Sequence, residues 1–214
     1  MAAYTAHQAP GRSAPWSRVT AFGLDVLLVV ACALTAWAHA ARLVEGRYTS
    51  AAFVVEQTIL LGMILFRRRP AATSTRVTDW LVAAFGTWLP FAMRPADAAD
   101  PWGLVGSCLQ VVGLTLTCTG FIYLGRSIGV VAADRGLKVN GPYRIVRHPI
   151  YFSHTVTLTG FLVANPSLLN AGILAAITLF QVLRIHAEER LLRKTTDYEA
   201  YARRVRWRLL PGIY

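Results

Sequence analysis

Acidic side chains are scarce in this chain. Asp and Glu number 11 against 22 Lys and Arg, and charged residues of both signs make up only 15% of 214 positions. An ordinary water-soluble domain carries roughly 25% charged residues, so that class is excluded. Cysteine is equally sparse. Cys32, Cys108 and Cys118 all fall in apolar stretches, at no spacing that suits zinc. They read as small packing residues, and no metal is expected. The chain also lacks a glycine-rich dinucleotide turn after a strand, a phosphate-binding loop, an HExxH pair and a GxSxG elbow. No internal repeat is visible beyond general helical patterning.

What fills the chain is hydrophobic: 55% of its residues, gathered into long blocks. A helix needs about 20 largely apolar residues to cross a bilayer. Four blocks approach that length, at 21–41, 51–66, 78–93 and 103–124. A basic, glycine-containing stretch, 126–148, interrupts them. A further pair follows at 149–164 and 168–185, joined by the turn signal Asn165-Pro166, and so short a link makes them an antiparallel hairpin. The expected fold is an all-α integral membrane protein with about four transmembrane helices and a C-terminal helical hairpin. Its expected divisions are a flexible tail at 1–18, rich in Ala, Pro and Ser, a membrane part at 19–125 and a functional C-terminal part at 126–214. Arg12 and Arg18 before the first block, and Ala38-His39-Ala40 at its end, imitate a cleaved leader. The length of the block and Asp25 within it favour a retained span.

The net charge of +11 would suit a nucleic-acid binder if it lay on one soluble face. Here the basic residues lie between and after the apolar blocks, so topology and anionic lipid account for them, and no nucleic-acid partner is expected. With both termini cytoplasmic, cytoplasmic segments hold 19 of the 22 Lys and Arg, and outer loops hold only Arg42, Arg47 and Arg94. The positive-inside rule favours that orientation in an inner or plasma membrane. It puts 126–148 and the C-terminus on one side.

Local signals refine the helices. Gly106, Gly113 and Gly120 form a small-residue stripe for close helix contact. Pro90 is expected to kink the third span, and Pro149 suits the first position of a helix. The last helix should run past the membrane through Leu192. Thr196 and Glu199 match a capping box opening a terminal helix near 197–206, placed at headgroup level.

Three places could carry chemistry, since intramembrane and juxtamembrane ionisable groups mark function. The densest is Gly141-Pro142-Tyr143-Arg144-Ile145-Val146-Arg147-His148-Pro149-Ile150-Tyr151. It reads either as a helix start that holds an anion with free N–H groups, aided by Arg147 and His148, or as a plain basic loop capped by proline. The second is Arg184 with Glu188, four apart on one helix face. It reads either as a site at the membrane edge or as a solvated ion pair. Neighbouring Glu189 and His186 point elsewhere and are expected on the surface. The third is Glu56-Gln57 inside the second block, either lining a cavity or, the preferred reading, serving as a buried hydrogen-bond partner. His39, Asp25 and Asp79 lie near span ends, where water or snorkelling is expected to satisfy them.

The segment Gly141-Pro142-Tyr143 … Arg147-His148-Pro149-Ile150-Tyr151, followed about forty residues later by Glu188-Glu189, resembles the isoprenylcysteine carboxyl methyltransferase family. That family shares this C-terminal signature with membrane phospholipid methyltransferases. Tyr198-Glu199-Ala200-Tyr201, Arg206 and Pro211 are similar to its tail, so the likeness covers about 120–214. The resemblance implies an S-adenosylmethionine-dependent methyltransferase acting on a lipophilic or prenylated substrate among membrane lipids. Carried over by position, the cofactor site is Arg135, Gly136, Leu137, Lys138, Gly141, Tyr143, Arg147, His148, Pro149, Ile150, Tyr151 and Glu188. Arg184 binds the substrate carboxylate and, with Glu188, forms the catalytic pair. Lys138-Val139-Asn140 and Phe152-Ser153 depart from the family's usual residues. Alternatives are N-methylation of a phospholipid amine, an NADPH-dependent sterol-type reductase, whose 2′-phosphate would call for extra basic groups, and a non-enzymatic transporter or assembly factor, whose polar residues would lie mid-membrane.

Overall fold

The computed structural model describes residues 15–44, 50–68, 70–94 and 102–214. Six helices carry the architecture: α1 (Pro15–Val44), α2 (Ser50–Leu65), α3 (Val77–Trp88), α4 (Gly103–Leu124), α5 (Pro149–Ala164) and α6 (Leu168–Thr195). A short α7 (Tyr198–Arg204) follows. α1 starts within the stretch expected as a tail and outruns its apolar block at both ends. Residues 1–14, with Arg12, lie outside the described part, as do Arg47 and Arg69. Among the described residues, two helical segments, Gly103–Ser127 and Leu168–Thr195, are by length and composition long and apolar enough to cross a bilayer. Asp25–Ala41 and Val54–Leu65 are shorter apolar helices. Leu104, Ile122 and Leu168 expose 77%, 72% and 94% of their surface, as residues facing lipid would.

The closest packing joins α4 to α5, and the glycine stripe explains it. A Cβ placed on Gly106 would stand 2.5 Å from the Gly160 carbonyl oxygen, one on Gly113 2.6 Å from the Thr157 nitrogen, and one on Gly120 2.7 Å from Ile150 Cγ1. Only hydrogen at these positions lets the backbones meet. Thr117 Oγ1 donates to Ser153 Oγ (2.9 Å) within the same contact. Gly113→Ala is expected to destabilise the protein by about 1–3 kcal/mol through overpacking against backbone. Gly172→Ala, where a Cβ meets open space, is expected to be neutral or to stabilise by up to about 1 kcal/mol. Thermal unfolding of the two variants in one detergent separates them, and equal melting would discard the stripe as a packing device.

α5 leans on α4, whereas α6 packs chiefly against α3 and a 3₁₀ turn, Leu89–Ala92. The backbones of α5 and α6 therefore stand farther apart than those of α4 and α5, and the two arms meet through side chains: Leu158 packs on Ile173 and Ile177, and Thr155 donates to Gln181 (2.8 Å). Pro90 does not kink a continuous span: α3 ends at Trp88, and the proline opens the 3₁₀ turn. At that end of the bundle Asn170 is buried. Its amide donates to the carbonyls of Arg94 and Asn165 (both 2.8 Å), and its Oδ1 accepts from Arg94 N–H (3.0 Å).

At the other end, two loops pair. Strands β1 (Ala72–Thr73) and β2 (Ala133–Asp134) run antiparallel with Ala72 opposite Asp134. Arg68 N–H to Arg126 O (2.7 Å) and Ser74 N–H to Ala132 O (3.0 Å) extend the join. The loop after α2 thus fixes the loop before α5. Protein groups, rather than water, satisfy the acids of this end. Asp25 on α1 pairs with Arg67. Asp79 is buried and accepts from Ser74 (2.5 Å) and Arg190 (2.8 Å). The capping box does not form either. Thr196 closes α6 and donates to Leu192 O (2.8 Å), while Glu199 pairs with Arg193 (2.7 Å).

Candidate functional site

The site grows from the start of α5. Pro149 occupies the first turn, where no N–H is needed, and His148 is the N-cap residue. The donors just before the helix are already used: Arg147 N–H bonds to Trp207 O and His148 N–H to Arg208 O, each at 2.9 Å. The C-terminal tail therefore braces this turn, and these two N–H groups are not open to an anion. Arg147 Nη2 likewise reaches Arg206 O (3.3 Å).

Glu189 corrects the sequence reading most. Expected on the surface, it is fully buried. Its Oε1 faces Arg147 Nη1 (3.4 Å), His148 Nε2 (3.4 Å) and Arg208 Nε (3.2 Å), and its Oε2 accepts from Arg193 (3.2 Å). One carboxylate on α6 thus ties down the turn before α5, the tail and its own helix. A carboxylate out of water needs such partners. A sequence signal existed: adjacent acids on a helix point about 100° apart, so one must turn inward if the other faces a site. His186 is exposed, as expected, and meets the Tyr214 hydroxyl (3.2 Å).

Glu188 faces the other way. It accepts a hydrogen bond from the Tyr151 hydroxyl, and its Oε2 lies 3.8 Å from His148 Nδ1. The His148 and Tyr151 rings stack with centroids 5.7 Å apart. Arg184, one turn away on α6, lays its guanidinium over the Tyr151 ring at 5.2 Å. It donates to Val130 O (2.9 Å) and Thr87 Oγ1 (3.4 Å). Arg184 and Glu188 therefore do not form the simple solvated pair that their spacing allows. Each addresses Tyr151 separately, and two of the five guanidinium donors are committed.

The loop completes the polar end. Gly136 has φ +92° and its N–H bonds to Asp134 Oδ1 (2.9 Å). Gly141 has φ +59°, and a Cβ there would strike the Tyr123 ring. Both positions need glycine's conformational freedom, and between them Leu137 and Lys138 face the same space. Arg135 Nε donates to Arg68 O (3.2 Å). Burial, and then Arg67 beside it, push its guanidinium down to about 10 against the pull of Asp25 and Glu188. Tyr143 is buried, and its carbonyl accepts from the Tyr201 hydroxyl (2.7 Å). Burial, then the Glu188 charge, raise its phenol well above the usual range, so it stays a neutral donor.

These residues rim a single cavity of about 700 Å³. Arg135, Gly136, Leu137, Lys138, Tyr143, Arg147, His148, Ile150, Tyr151, Arg184 and Glu188 all line it, so the polar loop and α6 converge on it. Gly141 and Pro149 shape the backbone nearby and do not line it. Inward, the walls turn apolar with Leu28, Leu60, Val111, Leu114 and Phe161. Further polar side chains that the cofactor-end pattern did not include also face it, among them Glu56, Gln57, His154 and Gln181, with His39, Ser107 and Gln110. His154 Nδ1 meets Gln181 Nε2 (3.1 Å), and Gln181 Oε1 accepts from Thr155 (2.8 Å). Among the described residues no cluster of His, Cys, Asp and Glu is arranged to hold a metal ion.

Residues 102–198 match the model of the phospholipid methyltransferase family, which includes membrane methyltransferases like those that modify isoprenylcysteine carboxyl groups. The match spans α4, α5 and α6 and so contains both halves of the site. No curated protein matches the chain.

Proposed function

We propose that this chain, whose residues 102–198 form a phospholipid methyltransferase-family domain, is an integral membrane enzyme that transfers a methyl group from S-adenosylmethionine to a carboxylate on a lipophilic acceptor. Support comes above all from one juxtaposition: Glu188 and Arg184, on one helix, both face Tyr151 where a polar loop meets an apolar chamber.

The residues present suit the cofactor. The cofactor supplies, when bound, an electrophilic methyl on a sulfonium. Glu188, with a quarter of its side chain accessible, offers a carboxylate to a cationic amine or to ribose hydroxyls. His148, Tyr143 and Tyr151 offer aromatic surface beside it, and Tyr143 a neutral hydroxyl. Arg135 and Lys138 supply positive charge for an amino-acid carboxylate. Both lie on the loop that Gly136 and the β1–β2 pairing hold in place.

Arg184 would act on the acceptor. A carboxylate drawn against an apolar wall loses its water, which raises its nucleophilicity but is costly unless the charge is met. Arg184 meets it with its uncommitted donors and fixes which oxygen faces the methyl group. Methyl transfer needs no proton removed from such an acceptor, only alignment and electrostatics. The apolar inner walls of the cavity leave room for a lipid tail. The positive-inside count supports a cytoplasmic polar end. The family's phospholipid name favours a second reading, methylation of a lipid amine, for which a cation at Arg184 would be unhelpful.

Glu188→Ala is expected to weaken S-adenosylmethionine binding about 10- to 100-fold, the worth of a charged hydrogen bond, without lowering the melting temperature appreciably. Titration calorimetry of the purified protein measures it. Unchanged affinity in both Glu188→Ala and Tyr143→Phe would remove the cofactor assignment. Incubating native membranes with a methyl-labelled donor then identifies the acceptor. Base-labile label marks a carboxyl ester, and base-stable label an amine.

A further inference from the structure

Among the polar groups of the chamber that the methyl-transfer reading does not use, two adjacent ones stand out. Glu56 and Gln57 sit on α2 and both line the cavity. Gln57 Oε1 is buried with no hydrogen-bond partner. Glu56 has neither hydrogen-bond nor ion-pair partner among the described residues. It lies within electrostatic reach of Cys32 on α1 and Cys118 on α4, so it stands where three helices meet. Arg67, eleven residues on, marks the polar end through its pair with Asp25. Helical rise puts Glu56 about 16 Å from that end.

Unpartnered acceptors in an apolar chamber are costly. The buried hydrogen-bond role that sequence suggested for Glu56 would remove the cost, but among the described residues no protein group fulfils it. The remaining source of a donor is whatever fills the cavity. A plain hydrocarbon tail brings no donor of its own to either group.

We infer that Glu56 and Gln57 form a distal subsite for a hydrogen-bond donor, a hydroxyl or amine, carried on the buried part of the acceptor, so that the substrate class is a two-headed lipophile rather than a simple prenyl or acyl chain. This rests on reading the cavity as the acceptor chamber. The methyl-accepting group meets Arg184 at one end, and the second polar group meets Glu56 at the other. The subsite selects both chain length and chain-end chemistry, because only one length sets both groups in place.

Straight-chain fatty acids of about 6 to 16 carbons, a series running from well below to beyond the roughly 16 Å of helical rise between Glu56 and the Arg67 end, test it against their ω-hydroxy counterparts. Binding is measured to the full-length protein in lipid nanodiscs. One ω-hydroxy acid should bind at least about tenfold tighter than its parent, the scale of a satisfied buried hydrogen bond. Glu56→Leu with Gln57→Leu should erase that preference, and Glu56→Gln should retain part of it. No preference at any length, a preference surviving the double leucine variant, or no binding of any acid would each overturn the subsite. The wild-type comparison stands even where a variant misfolds. S-adenosylmethionine affinity on the same preparations tests the methyltransferase reading separately: its absence, with the chain-end preference intact, rejects that reading and supports the subsite.

Discussion

Glu189→Ala is expected to destabilise the protein by about 3–5 kcal/mol, the cost of removing one partner from a buried ionic cluster. The carboxylate is fully buried, and Arg147 beside it is nearly so. Removing it leaves the Arg147 guanidinium without its acid, facing His148 and Arg208 with no negative charge between them. Three segments lose their common anchor: the turn before α5, the tail from Trp207 onward and the last turns of α6. Part of Arg193 and Arg208 is exposed, and solvent softens their share, so the weight falls on Arg147. Glu189→Gln should cost less, because it keeps an acceptor. Glu188→Ala, one residue away, should barely move the melting curve. Denaturant or thermal unfolding of the three variants checks this ordering. Equal stability of Glu188→Ala and Glu189→Ala would show that the cluster does not hold the site together.

Arg184→Ala is expected to lower methyl transfer to a carboxylate acceptor by about 10²–10³-fold, the usual loss when one preorganised charge-stabilising donor is removed. Cofactor affinity should change little, since Glu188 and the loop remain. Lysine at this position should recover only part of the rate, because a point charge cannot copy a planar fork stacked on Tyr151. Arg184 also holds Val130 O and Thr87, so the melting temperature must be followed beside turnover. A rate lost without loss of fold or cofactor binding places Arg184 at the acceptor. Full activity in Arg184→Ala would instead favour an amine acceptor.

Much of the site was legible in the chain because its residues cluster in two short runs. Tyr143, His148 and Tyr151 come from one, Arg184 and Glu188 from the other, and a four-residue spacing is enough to place the latter pair on one face. The glycine stripe was legible for the same reason: seven-residue spacing projects onto one side of a helix. Three things were not. The orientation of Glu189 depends on which way α6 turns about its axis, and composition does not determine that. The occupation of the Arg147 and His148 N–H groups depends on a tail more than fifty residues away. The Thr196–Glu199 capping pattern yielded to a stronger local use, in which Thr196 finishes α6 and Glu199 answers Arg193.

By itself, the sequence determined that the chain is helical and apolar, that its last helices form a hairpin, and that its reactive side chains gather in two runs. Those are properties of residues near one another along the chain, where periodicity and hydropathy act directly. Only the tertiary structure decided that α5 meets α4 backbone to backbone but α6 through side chains, that Glu188 faces a cavity while Glu189 faces an ion cluster, and that Glu56 shares that cavity with Arg184. Those outcomes come from packing between distant helices: glycine contacts draw α5 toward α4, and α6 settles against α3.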